Sequence, residues 1–96
     1  ATARLGGDEF AFCLAVRDTA SAERKSGKIH DAVMAVLNQT DYGATCSLGA
    51  ATGLDVADTL RIADQALYQA KDAGKSEWVF KPAVAPVTNS AAKLSD

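Results

Sequence analysis

The first dense cluster of apolar positions is Phe10-Ala11-Phe12-Cys13-Leu14-Ala15-Val16, preceded by Ala1-Thr2-Ala3-Arg4-Leu5 and the pair Gly6-Gly7. Glycine reaches positive φ without a Cβ clash, so two glycines between apolar stretches signal a hairpin turn. The pattern predicts antiparallel strands over 1–5 and 10–16. Asp18-Thr19-Ala20-Ser21 supplies turn and N-cap residues. Ile29, Val33, Val36 and Leu37 then recur at helical spacing and predict a helix over 21–38. Gly27 weakens that helix by about 1 kcal/mol. Arg24, Lys25 and Lys28 read as its solvated face, and His30 as another surface position. The pattern breaks from Asn38 to Gly43. A strand over 44–51 follows, and its small residues predict close packing of a helix on the sheet. Asp55 or Asp58 caps a second helix over 58–73, with Leu60, Ala63, Leu67 and Ala70 at 3–4 spacing and Gly74 ending it. A last strand over 76–81 carries Trp78, Val79 and Phe80. From Pro82 onward the chain is rich in Ala, Pro, Ser, Thr and Asn without periodicity, which predicts a flexible tail over 82–96 behind a partial domain over 1–81.

Composition narrows the function classes. At 96 residues the chain is at most one small domain, with a thin margin of buried surface. A formal net charge of −2 gives no basic field for nucleic acid, and 48% hydrophobic content fits a globular chain. Cys13 and Cys46 sit in apolar runs without metal spacing and read as buried thiols rather than a disulfide. No apolar run approaches the roughly 18–20 residues that span a bilayer, and no secretory signal is visible. A cytoplasmic setting is expected, without membrane contact by this segment.

Two groups of residues have chemistry to offer. Asp8 and Glu9 follow the Gly6-Gly7 pair directly. Adjacent carboxylates at a tight turn chelate a hard cation such as Mg²⁺, and glycines beside them let a phosphate approach the backbone. An ordinary solvated hairpin with an acidic tip has the same turn chemistry. Lys71 and Lys75 lie four residues apart around the expected end of the second helix, on one side of it. They suit phosphate, and they equally suit the negative end of a helix dipole.

Arg4-Leu5-Gly6-Gly7-Asp8-Glu9-Phe10 resembles the signature of the GGDEF family of diguanylate cyclases. Ser47-Leu48-Gly49-Ala50-Ala51 is similar to the family's Ser-Ile-Gly-Val-Ala strand. Residues 61–75, from Arg61 through Ala63-Asp64-Gln65-Ala66-Leu67-Tyr68 to Lys75, resemble its Ala-Asp-x-Ala-Leu-Tyr-x-Ala-Lys-x-x-Gly-Arg-Asn helix end. Three motifs in the right order, across residues 4–80, carry the resemblance.

That resemblance implies an α/β (α+β) fold like the palm of nucleotide cyclases, a mostly antiparallel sheet flanked by helices, with the N-terminal half missing. The missing half would hold the first strand, its metal-binding Asp and the guanine pocket. The resemblance further implies condensation of two GTP into cyclic di-GMP, with Mg²⁺ (or Mn²⁺) as cofactor and a homodimer of intact domains for catalysis. Gly6 and Gly7 would line the nucleotide site. Asp8 and Glu9 would be catalytic and hold metal, and Lys71 and Lys75 would contact the triphosphate. Lys75 stands where the family has Arg and lacks its bidentate fork; Ser76 stands where it has Asn. Asp64, Tyr68 and Arg4 read as structural, with the Tyr68 phenol buried on the sheet. The family's Arg-x-x-Asp product-inhibition motif would end one position before Ala1. The 96-residue segment alone is expected to be inactive, with a sheet edge left unpaired by the lost strand. Two alternatives remain: a catalytically inactive GTP- or effector-sensing regulatory domain of the same kind, and a non-functional fragment.

Overall fold

The computed structural model describes residues 2–6, 9–16, 18–40, 43–74, 76–82 and 89–95, with the backbone alone for 2–6 and 14. Gly7, Asp8 and Lys75 lie outside the described residues, as does the Arg4 side chain. The elements are β1 (Thr2–Gly6), β2 (Glu9–Ala15), α1 (Thr19–Leu37), β3 (Ser47–Gly53), α2 (Val56–Asp72), β4 (Trp78–Lys81) and β5 (Asn89–Ser95). They form one α+β unit around a five-stranded mixed sheet of order β1-β2-β5-β3-β4. β1, β2, β5 and β3 pair antiparallel in turn, and β4 runs parallel to β3. The parallel pair is joined through α2, the connection such a pair requires.

Local chemistry accounts for the helix starts. The Asp18 carboxylate accepts a hydrogen bond of 2.7 Å from the Ser21 amide, and Asp55 accepts one of 3.2 Å from the Asp58 amide. Each satisfies an amide that the first helical turn leaves without a partner. Gly74 follows the α2 C-cap Ala73 with φ of 124°, a region open to glycine.

The two helices take opposite faces of the sheet. On the α2 face Ala51, Ala63 and Ala91 pack with Cys13, Leu60 and Ile62. On the α1 face Leu48, Ala50 and Ala92 pack with Phe12, Ile29, Phe80 and Leu94. Small side chains bring α2 very close: a Cβ on Gly49 would lie 1.9 Å from the Leu67 amide nitrogen. Gly27 has a comparable use in α1, where a Cβ would lie 3.0 Å from the Trp78 ring.

Three expectations are corrected. The expected flexible tail contains β5, which lies in the middle of the sheet between β2 and β3. A strand paired on both edges and covered on both faces loses polar–apolar alternation. Ser90-Ala91-Ala92 is buried throughout, so its pattern resembled a low-complexity tail. His30 is buried rather than on the surface, and its Nε2–H donates to the Cys46 carbonyl at 2.8 Å, tying α1 to the start of β3. Tyr68 is 72% exposed rather than buried. α2 turns Ala63, Ala66, Leu67 and Ala70 to the sheet, which leaves Asp64 and Tyr68 together on its outer flank.

No disulfide joins Cys13 to Cys46, in keeping with the expected thiols; Cys46 is buried and Cys13 half-buried. Among the described residues no helix is long and apolar enough to cross a membrane.

Candidate functional site

The hairpin places Glu9 at the start of β2. Gly6 pairs with Glu9, and the register shifts between Arg4 and Gly6. Side chains alternate along a strand, so Glu9 shares the α2 face with Ala11 and Cys13. Ala11 stands opposite Lys93 of β5, and Lys93 stands opposite Gly49 of β3. Those small neighbours leave room for the long Lys93 stem over the sheet. Glu9 is its diagonal neighbour, within reach of long side chains.

The Lys93 ammonium donates to Asp64 Oδ1 at 2.9 Å and lies 3.1 Å from Glu9 Oε1. Its side chain is only 15% exposed, against 35% for Glu9 and 60% for Asp64. Burial pulls the Lys93 pKa down. The hydrogen bonds to Asp64 and Glu9, with the charges of both carboxylates, outweigh that and raise it above the usual lysine value. The amine is therefore a firmly held cation at neutral pH, joining β2, β5 and α2 at one end of the sheet.

Beside this triad lies a small cavity of about 90 Å³, lined by Glu9, Asp64, Leu67, Tyr68 and Lys71. Lys71 is half-buried in the last turn of α2, where the helix dipole favours a cation. Residues from the hairpin and from the far end of the second helix thus meet around one hollow. Of the residues expected to act on substrate or metal, the structure brings Glu9 and Lys71 together, with the Gly6 backbone next to Glu9 in the pairing. Gly7, Asp8 and Lys75 fall outside the described residues. Asp64, Tyr68 and Lys93 join the site without having been expected there. The spacing of Asp64, Tyr68 and Lys71 at i, i+4 and i+7 was a legible signal of one polar helix flank. Lys93 carried no such signal within a stretch without periodicity.

The donor chemistry bears on a metal. Two hard carboxylate oxygens converge on a single cation position, the chemistry that Mg²⁺ prefers. Among the described residues, however, no group of three or more Asp, Glu, His or Cys side chains is placed to hold an ion. A hollow of about 340 Å³ on the α1 side is lined mainly by Phe10, Val33, Leu37 and Leu94 and offers no charged group.

Comparison with known proteins gives two findings. The family model described as "Diguanylate cyclase, GGDEF domain" matches residues 1–77. An uncharacterized protein of Bacillus subtilis (strain 168), YhcK, is 36% identical over 86 residues, which cover 81% of this chain and 24% of that protein. The chain thus spans about a quarter of that relative's length. No solved structure matches the chain significantly.

Proposed function

The chain belongs to the GGDEF domain family, and from that premise we propose that it supplies part of the active site of a cytoplasmic enzyme condensing two GTP into cyclic di-GMP. One observation carries the proposal: Glu9 and Lys71, more than sixty positions apart in the chain, line the same hollow. Binding of a nucleoside triphosphate draws on carboxylates that hold a cation and on cationic side chains, and this hollow is lined by one carboxylate, Glu9, and one ammonium, Lys71, of the kinds required.

In this reading Gly6 and Gly7 let the phosphates come close to the hairpin backbone. Asp8 and Glu9 would hold Mg²⁺ or Mn²⁺, and the ion would supply neutralisation of the charge on the phosphates while a 3′-hydroxyl displaces pyrophosphate from the α-phosphate. Lys71 and Lys75 hold the triphosphate from the helix end, and Lys71 is set in place by the packing of Leu67 and Ala70 on the sheet. Asp64 and Glu9 keep Lys93 fixed. Each domain presents one GTP, so a homodimer is required to join two.

The test is the product. The full-length protein carrying this segment is incubated with GTP and Mg²⁺ or Mn²⁺, and the nucleotides are separated by chromatography. Cyclic di-GMP and pyrophosphate are expected; GTP binding without product would replace the enzyme with a regulatory GTP-sensing domain. One observation favours that second reading, the engagement of Glu9 by Lys93.

Lys71 is expected to matter for substrate more than for folding. Its helix-end position contributes only about 0.3–1 kcal/mol to stability. A charge-assisted contact to phosphate is worth more, so Lys71→Ala should raise KM for GTP about tenfold, the equivalent of 1.4 kcal/mol. The melting temperature should barely move. A large fall in melting temperature with unchanged KM would make Lys71 a helix-end residue only.

A further inference from the structure

We propose that Tyr68 is a substrate-contacting residue of this site, its phenol hydroxyl donating to a phosphate oxygen of the triphosphate that Lys71 holds. The proposal rests on the reading of the hollow as a nucleotide site and adds a residue to it. Three features carry it. Tyr68 lines the hollow together with Glu9 and Lys71. It is 72% exposed, and α2 packs on the sheet through Ala63, Ala66, Leu67 and Ala70, so the ring stands outside the core and open to a ligand. And Lys71 follows it by three positions on the same helix. Side chains of a helix lean toward its N-terminus, so the Lys71 stem runs back toward the level of Tyr68, and ammonium and phenol face one space.

The charges around the hollow give the hydroxyl its use. Lys93 is engaged by Asp64 and Glu9, and among the described residues Lys71 is the cation that lines the hollow. One ammonium offers fewer donors than a triphosphate has lone pairs to fill. A hydroxyl adds a donor of short, charge-assisted hydrogen bonds to an anionic oxygen. It does so without a charge that the neighbouring carboxylates would neutralise. Two donors on one helix flank, one charged and one neutral, thus hold the same phosphate group.

The test measures binding of inorganic tripolyphosphate and of guanosine to the full-length protein by calorimetry. Tyr68→Phe keeps the ring and removes the hydroxyl. It should weaken tripolyphosphate binding about tenfold, the loss of one hydrogen bond to a charged partner. Guanosine binding and the melting temperature should not change. Lys71→Ala is measured beside it. If Lys71→Ala weakens tripolyphosphate binding and Tyr68→Phe does not, Tyr68 is no contact and the proposed function stands without it. If Tyr68→Phe weakens guanosine as much as tripolyphosphate, or guanosine alone, the phenol acts elsewhere than on the phosphates and the contact is overturned. If neither variant changes tripolyphosphate binding, or the natural protein does not bind it, the hollow is no triphosphate site and both readings fall. Should Tyr68→Phe lose its cooperative melting transition, the ring NMR signals of Tyr68 in the natural 96-residue chain decide. Their movement at the tripolyphosphate concentrations that move the Lys71 signals supports the contact, and fixed ring signals overturn it.

Discussion

Glu9→Ala in the full-length protein is expected to abolish cyclic di-GMP formation while leaving the fold in place. The two effects separate because of how Glu9 is held. It is a third exposed, and its one described ion pair is with Lys93. When Glu9 is removed, Lys93 keeps Asp64 at 2.9 Å, so no buried charge is left without a partner. Loss of such a partly exposed pair costs about 1 kcal/mol or less. Under the proposed role of Glu9 as a metal ligand, its loss should cost more than the roughly 10–100-fold typical of groups one layer further out. Chromatography of the reaction and thermal melting of the same preparation check both halves. Turnover at the natural rate would remove Glu9 from the chemistry, and a collapse in melting temperature would make it a structural residue.

The largest loss of stability is expected at Gly49→Ala. The added Cβ would lie 1.9 Å from the Leu67 amide nitrogen and 2.4 Å from the Ala63 carbonyl oxygen. Both are backbone atoms of α2, so no side-chain rotation relieves the clash and the helix must move off the sheet. Overpacking of this kind costs about 3 kcal/mol or more. For a domain of this size that is a fall in melting temperature above about 12 °C. Gly53→Ala is the control, because its Cβ would meet the Thr59 hydroxyl, a side-chain atom, at 2.2 Å. The fall should be clearly smaller there. Equal melting temperatures for Gly49→Ala and the natural chain would mean that α2 does not lie as close to β3 as described.

The same close approach explains what the sequence made legible. Glycines and alanines spaced through β3 and α2 announce a helix on a sheet, and Asp18 and Asp55 announce helix starts. The elements they bound were expected within a few residues of where they lie. Signals failed where tertiary structure removes periodicity or reverses exposure. β5 is interior on both faces, and its small residues leave no pattern of two. His30 reads as polar in sequence, yet it is buried because the Cys46 carbonyl gives its ring a partner. Tyr68 falls beside Leu67 on the helix, and a shift of one position moves a side chain from the sheet to solvent. For the candidate site, the family resemblance pointed to Glu9 and Lys71, and the fold places Asp64, Tyr68 and Lys93 beside them. A lysine in a segment without pattern acquires meaning only from the carboxylates that the sheet and α2 bring to it.

The meeting of the hairpin and the end of α2 in one GTP site is tested most directly by the amide NMR spectrum of the isotope-labelled chain, titrated with GTP in the presence of Mg²⁺. The expected changes concentrate at Gly6, Glu9 and Phe10 and, in the same titration, at Asp64, Leu67, Tyr68 and Lys71, with matching dependence on GTP. Changes confined to the apolar hollow around Val33 and Leu37, or changes in only one of the two segments, would contradict a shared site.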